Sequence, residues 1–317
     1  MKKAILLHLG NNMWGKKGCT NASLKHFADF GYSDTLKCDK ETWVKVTNYA
    51  AERGLDTVVI DLGEGYVLDS HPELTVNGSW TKAELKAELD RLRSIGLTPI
   101  PKYNFSNGHS AWLGDYAYMV GTDTYAKVCR DVIKETIELF DKPEFFHLGM
   151  EEEDYGSQGG QPIAVIRSPE IKRRDLEMMC GVCRENGVRP WIWIDDYTIE
   201  SLGGDDLFKA TFDKDLLVST WFYSSILKDD KEHKQVKFMQ KISDWGYEQI
   251  PTGSTWSWHL NMKNLIRAGK EKLENGTVIG YMMASWMLTI PQKYYAHLDS
   301  VDNIMYAYED LYGGDAK

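Results

Sequence analysis

Residues 145–154, FFHLGMEEED, run from an apolar stretch directly into four consecutive acidic side chains. A short run that is apolar at nearly every position is typical of a strand in a parallel sheet whose two faces are both covered. The segment therefore predicts a buried strand whose C-terminal end carries a cluster of negative charge.

The same alternation of a short apolar run and an amphipathic stretch recurs about eight times along the chain. The predicted strands are residues 3–9, 56–61, 97–102, 144–149, 188–195, 216–221, 247–252 and 278–286. Predicted N-terminal caps begin four of the intervening helices: Asp39, Thr81, Thr122 and Ser168. Eight such units predict an α/β fold, a (β/α)₈ TIM barrel. With no linker rich in Pro, Gly or Ser, residues 1–317 are predicted to form a single domain.

An open, doubly wound sheet is the alternative fold. Its nucleotide-binding form has a GxGxxG turn after the first strand, and the HLGNNMWG sequence at residues 8–15 lacks that spacing.

Composition excludes several classes of function. The formal net charge is −10 and the basic residues are scattered, which argues against a nucleic-acid or anionic-membrane surface. No apolar run approaches the roughly 18 residues that a membrane span needs, and the N-terminal apolar run is too short for a signal peptide. Five cysteines without framework spacing favour reduced thiols and a cytoplasmic location, although a mature secreted chain would look similar.

In a barrel of this kind, the side chains at the C-terminal strand ends surround the active site. Here those ends carry Asn11, Asn12, Trp14, Asp61, Glu64, Tyr103, Asn104, Asn107, His109, Glu151, Glu152, Glu153, Asp154, Trp193, Asp195, Asp196, Trp221, Tyr223, Ser254, Trp256, Trp258 and Trp286. Carboxylates among indole rings favour carbohydrate binding, because flat apolar rings stack on sugars while carboxylates and amides bind hydroxyls. Taken one at a time, Trp193, Trp221 and Trp286 are better explained by packing inside the barrel; their joint placement favours a site.

Most retaining glycosidases use two carboxylates about 5 Å apart. Resemblance to many barrel glycosidases would place the pair at the ends of strands four and seven. The predicted strand seven has its only acid, Glu248, at the opposite end. A substrate that brings its own nucleophile, the 2-acetamido oxygen of an N-acetylhexosamine, needs only two adjacent acids, which Glu151 and Glu152 supply.

The sequence resembles the catalytic barrel of glycoside hydrolase family 20, the β-N-acetylhexosaminidases, from about residue 56 to residue 153. Residues 147–152, HLGMEE, are similar to that family's His-x-Gly-Gly-Asp-Glu signature. Residues 80–101 are similar to the family's helix and following strand, and residues 107–110, NGHS, to its Pro-Gly-His-Ser turn.

The resemblance implies that Glu152 is the general acid/base and that Glu151 orients the acetamide. It also implies that Tyr223 donates to the acetamide oxygen and that Trp286 lies under the sugar ring. Two of the departures from the family concern the site. The family's first-strand arginine has no counterpart here, so that Asn11 or Asn12 would bind the hydroxyls, and its aspartate is replaced by the longer Glu151.

These observations predict a hydrolase that releases terminal β-linked N-acetylglucosamine or N-acetylgalactosamine with retention, without a cofactor. The predicted catalytic residues are Glu152, Glu151 and Tyr223. The predicted substrate-binding residues are Asn12, Asp61, His109, Trp193, Asp195, Trp221, Trp256, Trp258 and Trp286.

Two other functions are compatible with the same residues. One is a glycan-binding barrel without catalysis. The other, ranked third, is a metal-dependent sugar isomerase or lyase in which the acids at residues 151–154 hold a divalent cation together with Asp61 and Asp195. The pair Cys180 and Cys183 matches a CxxC motif, but it lies on the apolar stripe of a predicted helix and is assigned to the core.

Overall fold

Eight parallel strands form the centre of the molecule. The computed structural model describes residues 1–15, 17, 31–158, 163–223, 234–256, 261–273 and 276–313. The strands are β1 (Lys2–His8), β2 (Thr57–Asp61), β3 (Thr98–Lys102), β4 (Phe145–His147), β5 (Arg189–Trp193), β6 (Leu217–Ser219), β7 (Thr252–Ser254) and β8 (Gly280–Leu288). Their order in the sheet is β6-β5-β4-β3-β2-β1-β8-β7. Single parallel bridges from Val218 to Gln249 and from Trp221 to Thr252 bring β7 beside β6, so the sheet curves into the predicted (β/α)₈ barrel.

Helices follow the strands and cover the outside of the barrel. They are α1 (Lys40–Glu52), α2 (Lys82–Ser94), α3 (Asp123–Leu139), α4 (Pro169–Glu185), α5 (Asp196–Ser201), α6 (Asp205–Thr211), α7 (Lys234–Asp244), α8 (Asn261–Lys272) and α9 (Tyr294–Tyr312). The four predicted caps are confirmed, since each side chain accepts a hydrogen bond from the backbone N–H three residues on. None of the described helices is long and apolar enough to cross a membrane.

Alternate strand residues point into the barrel and pack in a core separate from the one beneath the helices. The inner core includes Ala4, Leu6, Val59, Ile100, Phe145, Trp191 and Trp193. Each of four strands carries a polar residue two positions after an inner-core residue and on the same face. These polar residues are His8, Asp61, Lys102 and His147, which follow Leu6, Val59, Ile100 and Phe145. The period of two thus places a buried polar layer above the apolar core, at the end of the barrel where the strands end.

All eight strands differ in extent from the prediction, β5 and β6 by being shorter at both ends, and three of the differences bear on the site. β4 covers Phe145–His147, and the chain leaves the extended conformation at Gly149, which has a φ of +73°. β7 covers Thr252–Ser254 instead of residues 247–252, since Pro251 has no N–H to donate to a ladder. β8 continues to Leu288, and its register with β1 shifts between Leu6 and His8. Within this shift Trp286 has a φ of +52°.

Candidate active site

A cavity of about 210 Å³ opens at the C-terminal ends of the strands. It is lined by Met13, Trp14, His109, Glu151, Glu152, Trp193, Trp221, Tyr223, Trp256 and Trp286. Eight of the twelve predicted site residues are in this set, so the structure brings most of the predicted site together.

The first of the two adjacent glutamates is held by the loop after β3. Asn104 donates from Nδ2 to Glu151 Oε1 at 2.7 Å, and its own Oδ1 accepts from the backbone and hydroxyl of Ser106. A Cβ at residue 149 would lie 2.3 Å from Asn104 Oδ1, so only glycine leaves room for the Asn104 side chain beside the end of β4. Glu151 is 6% exposed, and its second oxygen, Oε2, has no hydrogen-bond partner.

His109 lies between the two glutamates. Its Nδ1 is 3.0 Å from Glu151 Oε1, at an angle poor for a hydrogen bond, and its Nε2 is 3.2 Å from Glu152 Oε2. Burial alone would lower the pKa of His109, but the two carboxylates raise it to about 10, so the ring is a cation at neutral pH. Burial would likewise raise the pKa of Glu151, but His109 and the more distant Lys102 hold it below its usual range.

The turn that carries His109 packs directly on the acidic segment. A Cβ at Gly108 would lie 2.1 Å from the backbone oxygen of Glu152, so this contact requires glycine. The two segments that resemble the family 20 motifs, residues 107–110 and 147–152, are therefore in contact.

The third acid of the segment, Glu153, has a structural role. It forms a buried ion pair with Arg167 and accepts from the backbone N–H groups of Asn107 and Arg167. Arg167 also lies 3.2 Å from Asp175 on α4. Burial opposes ionisation of Glu153, yet the guanidinium lowers its pKa to about 2. This network fixes the loop that follows Glu152.

Tryptophans form most of the remaining wall. Trp193, at the end of β5, contacts Trp221 edge to face at 6.3 Å between ring centroids and Trp286 at 6.0 Å. Trp14 stands edge-on to Trp286 and to His109. Trp256 is 46% exposed. The Trp286 indole donates to the Tyr223 hydroxyl at 3.0 Å, and burial raises the pKa of that phenol. These flat rings give the cavity the surface that sugar stacking needs.

Beneath the cavity lies the buried polar layer. Lys102 Nζ donates to Asp61 Oδ2 at 2.7 Å, and both side chains are almost fully buried. His8 Nδ1 is 3.5 Å from the same carboxylate, and burial lowers the pKa of His8 to about 4. His147 contacts the Trp191 and Trp193 rings at tilted angles, with centroids 4.8 Å and 4.7 Å away, and burial holds its pKa well below 6.5.

The other predicted site residues lie elsewhere. Asp61 is paired inside the barrel, and the Asn12 amide bonds to the backbone of Ser33. Asp195 caps α5 by accepting from Thr198, and it lines a second cavity. Trp258 lies outside the described residues. Among the part of the chain that is described, no three His, Cys, Asp or Glu side chains are grouped as ligands for one metal ion.

Some residues of the site had no role in the prediction. The sequence places Trp14 and Asn104 at strand ends. In the structure Trp14 lines the cavity, and Asn104 hydrogen-bonds to Glu151. Met13 also lines the cavity. No local signal distinguishes Met13, but the alternation along β1 and β3 could have marked His8 and Lys102 as inward-pointing.

No protein-family model matches the chain, and no protein with a curated description matches it. Solved structures do resemble it. The pneumococcal virulence factor StrH, studied for N-glycan recognition and hydrolysis, is 15% identical with a TM-score of 0.61, over 98% of this chain and 84% of that one. A family 20 β-N-acetylglucosaminidase is 11% identical with a TM-score of 0.55, over 96% and 68%.

The likeness extends to a second glycoside hydrolase family. A family 5 enzyme from Prevotella bryantii, solved with a xyloglucan tetradecasaccharide, is 11% identical with a TM-score of 0.53, over 96% of this chain and 95% of that one. At identities this low the likeness shows the fold alone, a barrel that this chain shares with enzymes of two glycoside hydrolase families.

Proposed function

We propose that the protein is a glycoside hydrolase that releases terminal β-linked N-acetylhexosamine with retention, by substrate-assisted catalysis. One observation carries the proposal. Among the described residues that line the cavity, the carboxylates are Glu151 and Glu152, neighbours at the end of one strand. Strand β7 is Thr252–Ser254, so it contains no acid that could act as a nucleophile opposite this pair. The acetamido oxygen of the substrate would therefore act as the nucleophile.

Glu152 is the proton donor in this proposal. Its side chain is 47% exposed and lines the cavity, so it can reach a glycosidic oxygen. The His109 cation 3.2 Å away would stabilise the carboxylate that forms when the proton leaves. The same carboxylate would then accept a proton from the attacking water.

Glu151 orients the acetamide. It is ionised, it is held by Asn104 on one oxygen, and its buried second oxygen, Oε2, has no hydrogen-bond partner. That oxygen would accept the acetamide N–H, and its charge would stabilise the cation formed on cyclisation. Tyr223 would donate to the acetamide oxygen, while Trp286 packs under the sugar.

The structural neighbours support the proposal at two levels. Glycoside hydrolases of families 20 and 5 support glycosidase activity, and the named β-N-acetylglucosaminidase supports the acetamido substrate. A glycan-binding barrel without catalysis is the second candidate. It is favoured by the end of β1, where the Asn12 amide is used internally and is not available to sugar hydroxyls.

The test is release of nitrophenol from the β-N-acetylglucosaminide and β-N-acetylgalactosaminide, each beside its non-acetamido sugar, with and without EDTA. Turnover of acetamido substrates alone, unaffected by EDTA, supports the proposal. Turnover of both sugar types would contradict substrate assistance. Loss of activity with EDTA would favour a metal-dependent enzyme, and saturable binding without turnover would favour the glycan-binding barrel.

A further inference from the structure

A second cavity adjoins the first. It has a volume of about 560 Å³, within the range of about 300–1,000 Å³ typical of ligand sites. Glu152 and Trp221 line both cavities, so the proposed proton donor stands at their boundary. The mechanism proposed above does not use this second space.

The position of Glu152 identifies what would enter the second cavity. This inference rests on the proposed function, in which Glu152 protonates the glycosidic oxygen. The N-acetylhexosamine lies on one side of that oxygen, among the tryptophans of the first cavity. The leaving group lies on the other side, and beyond Glu152 and Trp221 the space is the second cavity.

Its walls suit a sugar more than an apolar group. Tyr197 lines it with a ring that is 71% exposed, which offers a face for stacking. A smaller cavity of about 140 Å³ shares Asp195, Tyr197 and Trp221 with the second cavity. Its wall also includes Thr220 and Lys234. Thr220 is 2% exposed and its hydroxyl has no hydrogen-bond partner, so a ligand hydroxyl there would satisfy a buried polar group.

The charge of the second cavity is strongly negative. Its wall carries five acids: Glu152, Glu153, Asp154, Asp195 and Glu200. Glu153 is paired with Arg167, whereas Asp154, Asp195 and Glu200 have no Lys or Arg partner among the described residues. Lys172 is the basic residue of the described wall; it is 1% exposed and donates to Ser201 Oγ at 2.9 Å. Burial of Asp195, with the nearby Glu152 charge, raises the pKa of Asp195, as expected where carboxylates repel one another.

We propose that the second cavity binds the sugar that leaves, and that it selects neutral or amino sugars over anionic ones such as uronates. The carboxylates accept hydrogen bonds from hydroxyls and attract an ammonium group. A ligand carboxylate would instead face several like charges, while Lys172, the basic residue of the described wall, is already bonded to Ser201.

The experiment compares disaccharides whose leaving sugar is glucose or differs from glucose at a single position. The hexosamine preferred in the nitrophenyl assay is joined β1→4 to glucose, to glucuronic acid or to glucosamine, and kcat/KM is measured at low ionic strength. We expect the glucose and glucosamine compounds to exceed the glucuronic acid compound by about 10-fold or more. Added salt should reduce that ratio, because exposed charges are screened.

Two charge-reversal variants test the residues. Glu200→Lys, in the wall, should reduce the neutral-to-anionic ratio several-fold. Glu177→Lys makes the same change at an exposed position of α4 outside the cavity and should leave the ratio unchanged. If the nitrophenyl substrates are turned over but the glucose and glucuronic acid compounds react at equal rates, the inference is overturned and the proposed function stands. Absence of turnover for every substrate would overturn both.

Discussion

The Trp286 indole N–H donates to the Tyr223 hydroxyl oxygen at 3.0 Å, joining the end of β8 to the segment after β6 across the cavity. This bond fixes the phenol at the cavity wall. If Tyr223 stabilises the acetamide oxygen as it attacks, Tyr223→Phe should lower kcat about 100-fold, the usual effect of losing one such donor, with little change in KM. Tyr295→Phe removes a hydroxyl from an 80% exposed ring and serves as the control. An unchanged kcat in Tyr223→Phe would remove this residue from the mechanism.

Replacement of the proton donor should depend on the leaving group. We expect Glu152→Gln to lower kcat for an alkyl glycoside by about 100- to 10,000-fold, the range for general acid catalysis. The loss should be much smaller with dinitrophenol, which leaves without a proton. Binding of the sugar product, measured by calorimetry, should persist. Equal losses for both leaving groups would show that Glu152 is not the acid.

Replacement of Glu151, the carboxylate that orients the acetamide, should impair the attack of the acetamide oxygen. Glu151→Gln keeps the size of the side chain and the contact with Asn104, but it removes the negative charge. We expect kcat to fall and inhibition by a thiazoline mimic of the cyclised intermediate to weaken, because the cation loses its counter-charge. Unaltered thiazoline inhibition would argue against the role of Glu151.

The buried pair of Glu153 and Arg167 should control stability. Glu153→Gln leaves a buried guanidinium with one partner fewer, and such a loss costs about 3–5 kcal/mol in the free energy of unfolding. Urea denaturation at pH 7 measures it, with the exposed Glu177→Gln as control. The pKa of Glu153 falls from 4.5 to about 2 on folding, so its contribution is present above pH 4.5 and is lost as the pH falls towards 2. A wild-type advantage that is unchanged at pH 2 would contradict this assignment.

The His109 cation should stabilise the fold in the opposite pH range. Its pKa rises from 6.5 to about 10 on folding, so its contribution is complete below pH 6.5 and disappears as the pH rises through about 10. The difference in unfolding free energy between wild type and His109→Gln should therefore be largest near pH 6 and should shrink by pH 10. A difference that grows with pH would show that the ring is neutral in the folded protein.

Local patterns in the sequence were enough to predict the barrel, the four helix caps and the strand ends at which Glu151 and Glu152 lie. Caps and buried strands depend on residues close together in sequence, which is why their signals can be read. The pair of Lys102 and Asp61 depends on the register between two strands, which no local pattern records. Asp61 lies at the end of a strand, as Glu151 does, but its side chain points into the barrel and pairs with Lys102.

The backbone at the cavity limits how this protein can change. Met150, Glu152 and Trp286 hold φ values of 80°, 48° and 52°, a region that side chains other than glycine occupy at roughly 1–3 kcal/mol each. Glycine at residue 152 would relax the chain and would delete the proposed proton donor, whereas at residues 150 and 286 it would also remove a side chain that packs against its neighbours. Selection for thermal tolerance alone would thus favour glycine at residue 152, whose side chain is half-exposed, so a natural relative that keeps an acid there records a demand other than stability.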